Sequence, residues 1–431
     1  MTFLRSGRPG SRRPPRPALW ARLRQLRPFL LLAVLGPGIV SGFADNDAGG
    51  ITTYSIVGAQ FGYDLLWVLL ASQLALMVTQ ELGARLGLAT GHGLSGLIRE
   101  RFGLRWATFA TVTMLLANLG DTVAEFAGIG AALALFGVPV PLSALLAAGA
   151  ILLLLSRGNF GRIQLAFVAV GLGVAIAYAV SAVLAHPDWG HAAQATLIPH
   201  GTWSAAYLLA VMGTVGTTIT PWGQSFIQSY VVDKGLGPED LTSSRIDVTL
   251  GALFTNIVAG FIVVACAATL WAHGQTTITD AADAARALRP LAGHAAEVLF
   301  AVGLLAASFL GLGTVPLTSA YAACEAFGWE SGLDHRWGQA PAFYGLLAFF
   351  IGFSALFILI PGLPLIGVMF LSQVFDGLLL PIILVFVMLI ARDRRLMGRL
   401  RSGAISISLG WLVTGLISLL SIALVVATVA G

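Results

Sequence analysis

Long apolar runs follow one another along almost the whole chain, separated by short polar connections. The chain is 57% hydrophobic and 10% charged, with a mean hydropathy of +0.87, and this composition excludes a soluble protein. About 20 apolar residues suffice to cross a bilayer as a helix. The sequence therefore predicts an all-α polytopic membrane protein with eleven spans, which we number in chain order: 28–56, 62–90, 104–136, 141–156, 160–185, 205–233, 246–275, 294–325, 342–360, 364–391 and 404–430.

The basic residues orient these spans, because cytoplasmic connections hold most Lys and Arg. With the N-terminus inside, the inner connections and span ends take all of the 24 Lys and Arg residues except Arg286 and Arg289. Residues 1–27 then form a basic cytoplasmic tail, which their Pro and Arg content predicts to be disordered, and the C-terminus lies outside. We expect a protein of the plasma (inner) membrane, surrounded by the lipid bilayer. The net charge of +4 follows from these basic inner connections, so we expect no nucleic-acid partner.

Two acidic residues lie inside span 1, in the stretch Asp45-Asn46-Asp47-Ala48-Gly49-Gly50. A charge at membrane depth costs at least about 2.5 kcal/mol, so it persists mainly where it faces a cavity, a partner or a cation. The neighbouring glycines predict that the helix unwinds here. Unwound backbone at this depth must line water or be buried in protein, and its free carbonyls then bind cations. The stretch is therefore typical of an ion site in a transporter.

Span 6 is interrupted as well, between residues 213 and 224, where Pro221 removes a helical hydrogen bond. Interrupted segments at matching positions of two halves indicate an inverted-repeat transporter. Because the breaks fall five spans apart, we expect one repeat over 28–185 (spans 1–5), a second over 205–392 (spans 6–10), and an additional span 11 at 404–431. The two breaks should meet near the middle of the membrane.

Four stretches carry a resemblance to the Nramp family of divalent-metal transporters: Gly58-Ala59-Gln60-Phe61-Gly62-Tyr63-Asp64-Leu65-Leu66-Trp67-Val68, Ala84-Arg85-Leu86-Gly87-Leu88-Ala89-Thr90-Gly91, residues 121–137, and Leu371-Ser372-Gln373-Val374. With span 6, the resemblance covers essentially the whole membrane part. It implies the LeuT-type fold, a 5+5 inverted repeat with broken helices 1 and 6, and a divalent metal ion as transported substrate.

The chain departs from this family at two metal ligands. The family's Asp-Pro-Gly-Asn motif falls on residues 47–50, so that Asp47 is kept whereas Gly50 replaces the Asn ligand. The family's Met-Pro-His falls on residues 220–222, so that Thr220 replaces the sulfur ligand and Trp222 the histidine. In both respects the chain is similar to the Nramp-related magnesium transporter branch.

These departures change the ion that the site favours. A thioether favours Mn²⁺, Fe²⁺ and softer ions, whereas carboxylate, carbonyl and water suit Mg²⁺. Mg²⁺ dehydrates reluctantly and keeps several waters, so a wider, all-oxygen site suits it. We expect uptake of partly hydrated Mg²⁺, and of Mn²⁺ as well, by alternating access without strong proton coupling. A proton-coupled Mn²⁺/Fe²⁺ transporter is the alternative.

Asp47 is the first choice as a metal ligand, through its carboxylate directly or through water. Asp45 and Asn46 are further candidates, although Asp45 could equally cap a helix or face a vestibule. The Thr220 hydroxyl could bond a backbone carbonyl instead of the ion, and Gln373 could make an interhelical hydrogen bond instead. The predicted metal set is Asp45, Asn46, Asp47, Gly50, Thr217 (through its carbonyl), Thr220, Gln224 and Gln373.

Three further acidic residues are candidates for a proton or ion path. Asp121 and Glu125 are spaced i, i+4 and share a face of span 3, whereas Asp376 lies one turn after Gln373 in span 10. The resemblance implicates acidic residues of span 3 in proton movement, yet Asp121 is one position away from the family's pattern. The family's span 6 histidines fall on Trp222 and Gln228, which removes groups that titrate near neutral pH and predicts weak proton coupling.

Other functions fit less well. A LeuT-fold amino-acid or Na⁺-coupled carrier would also have broken helices, but two acidic residues would repel a carboxylate substrate. A channel would use the same ligands with different gating. No arrangement typical of an enzyme is visible, and we expect no cofactor. The seven histidines fall in predicted loops or at helix ends, where solvated side chains are expected. The sequence does not determine the oligomeric state.

Overall fold

The computed structural model describes residue 42 and residues 45–156, 160–333 and 337–430, and the predicted tail 1–27 lies outside this part. Helices account for most of it, and no strand occurs among these residues. We number the longer helices in chain order: α1 Ala48–Phe61, α2 Leu66–Thr90, α3 Leu94–Phe102, α4 Leu104–Ala134, α5 Val140–Ser156, α6 Phe160–Leu184, α7 Trp189–Leu197, α8 Ala205–Thr218, α9 Pro221–Asp233, α10 Leu241–Thr269, α11 Ala296–Phe327, α12 Pro341–Phe357, α13 Leu365–Ala391 and α14 Ala404–Ala430.

Short turns complete the connections. Four-residue and five-residue helical turns occur in the α10–α11 and α13–α14 connections, together with 3₁₀ turns there and before and after α10. Their bounds are Pro238–Asp240, Trp271–His273, Ala281–Ala285, Arg286–Leu288, Arg289–Ala292, Gly293–Ala295, Arg394–Met397 and Gly398–Leu400.

Each predicted span has a helical counterpart among the described residues, although residues 28–41 of span 1 lie outside them, and the helices differ in form. Within the described ranges, six helical stretches are individually long and apolar enough to cross a membrane, and they contain α2, α4, α10, α11, α13 and α14. A seventh crossing is possible where Ala169–Leu184 is followed by Trp189–Leu197 at a bend of 117°. The remaining predicted spans are the shorter helices α5 and α12, the helix α1, and the pair α8 and α9. The predicted division into two repeats stays a prediction.

Small residues bring the central helices into close contact. A Cβ added to Gly216 of α8 would lie 1.9 Å from the backbone oxygen of Gln373, and one added to Gly377 of α13 would lie 2.8 Å from the backbone oxygen of Met212. The two helices therefore cross backbone against backbone, which is how small residues allow membrane helices to pack. This crossing fixes Gln373 beside the end of α8.

The polar contacts between connections fall into two groups. In one group, Glu81 near the end of α2 accepts from Arg245 at 2.8 Å, and Arg101 pairs with Asp393 at 2.5 Å. These four residues all belong to span ends or connections that the charge pattern places inside. In the other group, the start of α2 contacts the start of α8, where Trp67 Nε1 donates to the Tyr207 hydroxyl at 3.0 Å.

Candidate metal site

In span 1, residues 45–47 are not helical, and Asp47 caps the helix that follows. Its backbone is extended (φ −73°, ψ −173°), and its Oδ1 accepts from the Gly50 amide at 2.7 Å. Aspartate favours this position because its carboxylate satisfies an amide that has no partner in the first helical turn. The Asp47 side chain, 2% exposed, is thereby held at the helix start with one oxygen engaged.

The break in span 6 lies at residues 219–220, between α8 and α9. The Thr220 hydroxyl caps α9 by accepting from the Gly223 amide at 3.1 Å. Pro221, the first residue of α9, has no N–H to give to the carbonyl of Thr217 four residues earlier. The Thr217 carbonyl at the end of α8 is therefore left without its helical partner and is available to a ligand.

The two breaks come together around Gly50. A Cβ on this residue would lie 2.9 Å from the Asp45 backbone oxygen, 3.1 Å from Thr217 Oγ1 and 3.4 Å from Asp47 Oδ1. Three oxygens from both breaks thus surround the position that a side chain at residue 50 would occupy. Thr217 Oγ1 has no hydrogen-bond partner, so it remains free to bind a cation.

Asp45 and Thr220 meet on the other side of the same breaks. A Cβ on Gly223 would lie 2.7 Å from Thr220 Oγ1 and 3.6 Å from Asp45 Oδ1. The Asp45 side chain is 1% exposed, and its Oδ2 has no hydrogen-bond partner. The carboxylate therefore faces the start of α9, where the partial positive charge of a helix N-terminus stabilises an anion.

Gln373 joins the site from α13. Its Nε2 donates to Asp121 Oδ1 at 3.0 Å and to Ser372 Oγ at 3.1 Å, and it lies 2.1 Å from the position of a Cβ on Gly49. The amide oxygen of Gln373 has no partner. The interhelical hydrogen bond and a role as ligand are therefore compatible, since each uses a different atom of the amide.

The remaining carboxylates surround this point from α4 and α13. Glu125 interacts electrostatically with Asp47, and Asp376 with Asp121 and Asp47. The carboxyl group of Glu125 lies within hydrogen-bonding reach of that of Asp47, and the carboxyl group of Asp376 lies within reach of that of Asp121. The sequence spacing alone could not show that residues of three separate helices converge here.

The cluster contains no basic residue. Among the residues that the structure describes, no Lys, Arg or His forms an ion pair with any of its carboxylates. Buried carboxylates without a partner are costly unless a cation or a proton neutralises them. The arrangement is thus suited to bind a cation, and its members are at most 2% exposed: Asp45, Asp47, Asp121, Glu125 and Asp376.

Of the two remaining predicted ligands, Asn46 makes its contacts away from this convergence. Asn46 donates to the Gly42 carbonyl at 3.1 Å and borders a separate cavity of about 30 Å³ beside Tyr178. Gln224 is buried one turn into α9, with both amide atoms unpartnered. No contact in the structure brings Asn46 to Gly50 or Gln373.

Some polar residues around the site were not predicted. The Tyr54 hydroxyl lies 3.0 Å from Thr218 Oγ1 and ties α1 to α8. Tyr54 falls two helical turns after Asp47, and this spacing could have indicated that the two side chains share a face. Ser372 offered no such signal beyond its place next to Gln373.

A comparison with known protein families covers the residues of both helix breaks. The model of the family described as natural resistance-associated macrophage protein-like (Nramp) matches residues 38–427, which include both breaks and all five carboxylates of the cluster. The chain belongs to the Nramp family. This membership agrees with the resemblance carried by the sequence motifs. Together, the family and the apolar helices indicate an integral membrane transporter.

Two Nramp relatives match over most of their length. A divalent metal cation transporter MntH from Ralstonia nicotianae is 32% identical over 441 residues, covering 97% of this chain and 94% of the relative. An MntH from Deinococcus radiodurans is 30% identical over 408 residues, covering 92% of this chain and 88% of the relative.

Solved structures agree on the fold. The Eremococcus coleocola manganese transporter superposes with a TM-score of 0.72 at 22% identity, covering 95% of this chain and 87% of that one. Mhp1, a transporter of the nucleobase-cation-symport-1 family, superposes with a TM-score of 0.58 at 14% identity, covering 91% of each chain. The predicted LeuT-type, all-helical fold is thereby confirmed.

Proposed function

We propose that this Nramp protein carries divalent metal ions through the site between its two helix breaks, and that Mg²⁺, partly hydrated, is its preferred substrate, with Mn²⁺ also accepted. The observation that carries the proposal is the convergence of oxygens of Asp45, Asp47 and Thr217 on Gly50, a residue that contributes no side chain of its own. Ionised carboxylates and carbonyl oxygens are the ligands that Mg²⁺ and Mn²⁺ share.

The missing side chain at residue 50 supports a hydrated ion. An asparagine there would offer its own amide oxygen as a ligand, whereas Gly50 offers none, so that water has to supply the missing ligand. Mg²⁺ usually keeps several waters and binds proteins through one or two carboxylates. Asp47 has one oxygen engaged by the Gly50 amide, and its second oxygen can accept from water bound to the ion.

The residue at the second break supports the same preference. Thr220 offers a hydroxyl where the family pattern has a thioether, and this hydroxyl already caps α9. The site therefore lacks the soft ligand that favours transition metals over Mg²⁺ at this position. Gln373 Oε1 and the Thr217 carbonyl complete the proposed oxygen set. The side chains of Asp45 and Gln224 contact the ion through water.

We propose that proton coupling is weak. Trp222 packs against Leu310 and Val315, and the side chain of Gln228 donates to the His92 carbonyl at 2.8 Å. Neither residue can exchange a proton near neutral pH. Asp121, Glu125 and Asp376 then provide negative potential along the ion path. A dipositive ion gains about 4.6 kcal/mol per 100 mV on entering a negative interior, so the membrane potential suffices to drive uptake.

The direction of uptake rests on the proposed topology, with the N-terminus inside and the C-terminus outside in a plasma membrane. The contacts of Glu81 with Arg245 and of Arg101 with Asp393 support it, because they gather the ends that carry basic residues on one side.

Proton-coupled transport of Mn²⁺ is the second candidate, and a specific observation favours it. Three relatives or neighbours carry names that specify divalent metals or manganese, and the buried carboxylates Asp121 and Glu125 could carry protons. A carrier of organic anions is disfavoured, because the carboxylates around both breaks repel a negatively charged substrate.

Uptake into proteoliposomes tests the proposal, with Mg²⁺ and Mn²⁺ entry and internal pH recorded in parallel. The matched variants are Asp47→Asn and Asp280→Asn, since Asp280 also caps a helix start but lies in a connection. We expect Mg²⁺ entry without acidification, lost in Asp47→Asn and retained in Asp280→Asn. Mn²⁺ entry with acidification and without Mg²⁺ flux would establish the second candidate instead.

A further inference from the structure

A second group of metal-ligating side chains lies outside the transport site. Asp64 is in the connection between α1 and α2, His191 in the first turn of α7, and His200 in the segment before α8. One carboxylate oxygen and two imidazole nitrogens of these residues lie within 4.8 Å of one another. The side chains of Asp64 and His200 are 41% and 37% exposed, so ions can reach them from solution.

The orientation of His200 favours a cation. Its Nδ1 lies 2.6 Å from the Ile198 carbonyl oxygen, which can only accept, so Nδ1 carries the hydrogen. In neutral His200, Nε2 then presents a lone pair toward Asp64 Oδ1 at 3.2 Å. Two electron-rich atoms at this distance require a proton or a metal ion between them. A backbone carbonyl that fixes the tautomer is typical of histidines that bind metals.

The backbone that carries two of these residues is held in place. The Tyr207 hydroxyl lies 2.5 Å from the His200 carbonyl oxygen and 3.3 Å from the Asp64 carbonyl oxygen. Gly201 has a φ of +147°, and a Cβ there would lie 2.3 Å from Tyr207 Cζ. Only glycine allows the segment to lie this close to the tyrosine, so the spacing of Asp64 and His200 is fixed before any ion binds.

The third side chain is positioned by α7. Asp188 caps this helix by accepting from the His191 amide at 2.9 Å, and the imidazole lies edge-on to the Tyr63 ring, with 5.4 Å between centroids. The His191 side chain is exposed and can rotate toward the pair. Its approach would complete three ligands on one side of an ion and leave the fourth position to water.

We propose that Asp64, His191 and His200 form a binding site for a transition-metal ion that prefers imidazole, with Zn²⁺ as the best fit. Zn²⁺ takes a tetrahedral set of N and O ligands at about 2.0–2.2 Å, and adjacent ligands of such a set are about as far apart as His200 Nε2 and Asp64 Oδ1. Mg²⁺ prefers oxygen ligands and does not compete for two imidazoles. The site therefore selects ions that the transport site does not.

Zn²⁺ titration of the purified full-length protein by calorimetry, with Mg²⁺ in excess to occupy the transport site, tests this inference. Asp64→Asn, His191→Ala and His200→Ala are compared with His273→Ala, whose Nδ1 also lies near a backbone carbonyl, that of Thr269, at 2.8 Å. Thermal unfolding of each variant without metal verifies folding. Co²⁺ in place of Zn²⁺ reports a tetrahedral site through its visible absorption.

We expect one Zn²⁺ per chain, an affinity at least about tenfold weaker in each of the three variants, and no change in His273→Ala or Asp47→Asn. Loss of binding in Asp47→Asn would place the ion in the transport site and overturn the inference. Unchanged binding in His191→Ala would also overturn it, because His200 and Asp64 would then form only an ion pair.

Discussion

The helix breaks and the Asp64–His191–His200 site differ in depth and in ligand type. The carboxylates at the breaks are at most 2% exposed and face other oxygens, whereas Asp64 and His200 are over a third exposed and pair a carboxylate with an imidazole. Buried carboxylates without a basic partner require a cation or a proton, because water cannot stabilise their charge. The exposed site is solvated when empty, so its affinity for an ion depends on the chemistry of its ligands rather than on their burial.

This difference suggests how one chain can separate ions. In our proposal, oxygens alone accept Mg²⁺ in the interior, and two imidazoles with one carboxylate accept a transition metal at the surface. Variants that change one site and leave the other intact test whether the two sites bind ions independently.

The largest expected effect is on transport in Asp47→Asn. The amide keeps the cap on the Gly50 amide but removes the charge that faces the ion, so we expect Mg²⁺ influx to fall by about 100-fold, or roughly 2.7 kcal/mol. Radiotracer or indicator-dye uptake measures it, with Asp280→Asn as control. Zn²⁺ binding should persist, and equal loss of both functions would show that the sites are not separate.

Restoring the family's ligands should change the ion preference. In Gly50→Asn with Thr220→Met, the amide replaces a water ligand and the thioether adds a soft ligand, so the ratio of Mg²⁺ to Mn²⁺ influx should fall about tenfold. Gly50→Ala adds a methyl group without adding a ligand, and Gly149→Ala is a control because nothing lies within 4 Å of its added Cβ. A ratio unchanged by the double substitution contradicts our account of both residues.

Gly201→Ala should affect only the exposed site. The added methyl group would collide with Tyr207 and displace His200, so Zn²⁺ binding should weaken by roughly three- to tenfold, up to about 1.4 kcal/mol. Calorimetry measures this change, and Gly274→Ala, at another positive φ with nothing within 4 Å, is the matched control. Unaltered Zn²⁺ affinity would mean that the backbone does not position the histidine.

A smaller effect is expected for Pro221→Ala. The alanine supplies an N–H that can occupy the Thr217 carbonyl, so Mg²⁺ influx should fall about threefold, near 0.6 kcal/mol. Pro341→Ala is the control, because Pro341 also begins a helix but lies far along the chain in α12. Faster influx in Pro221→Ala would exclude this carbonyl as a ligand.

Much of the membrane architecture followed from the sequence. Hydropathy correctly predicted helices near the described parts of the spans. Pro221 and the glycines after Asp47 predicted the two breaks, because local chemistry decides where a helix can continue. The length of each helix was less predictable. Span 1 was expected to end near residue 56, yet α1 continues to Phe61, since tertiary contacts decide where an apolar helix stops.

Residues that meet only in the folded chain could not be predicted. The direction of Asn46, away from Gly50, depends on the turn geometry at residues 45–47. Two of the histidines expected to be solvated loop side chains, His191 and His200, lie beside Asp64. Their approach depends on the bend before α7 and on Tyr207, and neither leaves a pattern in the sequence.

An anomalous difference map from crystals grown with Mn²⁺ tests the central claim most directly. Our account predicts a peak beside Asp47 and Gly50, with water in the ion's ligand shell and oxygens of Thr217 and Asp45 around it. A peak elsewhere, or an ion at this position bound by protein ligands alone without water, would contradict the proposed hydrated, all-oxygen site.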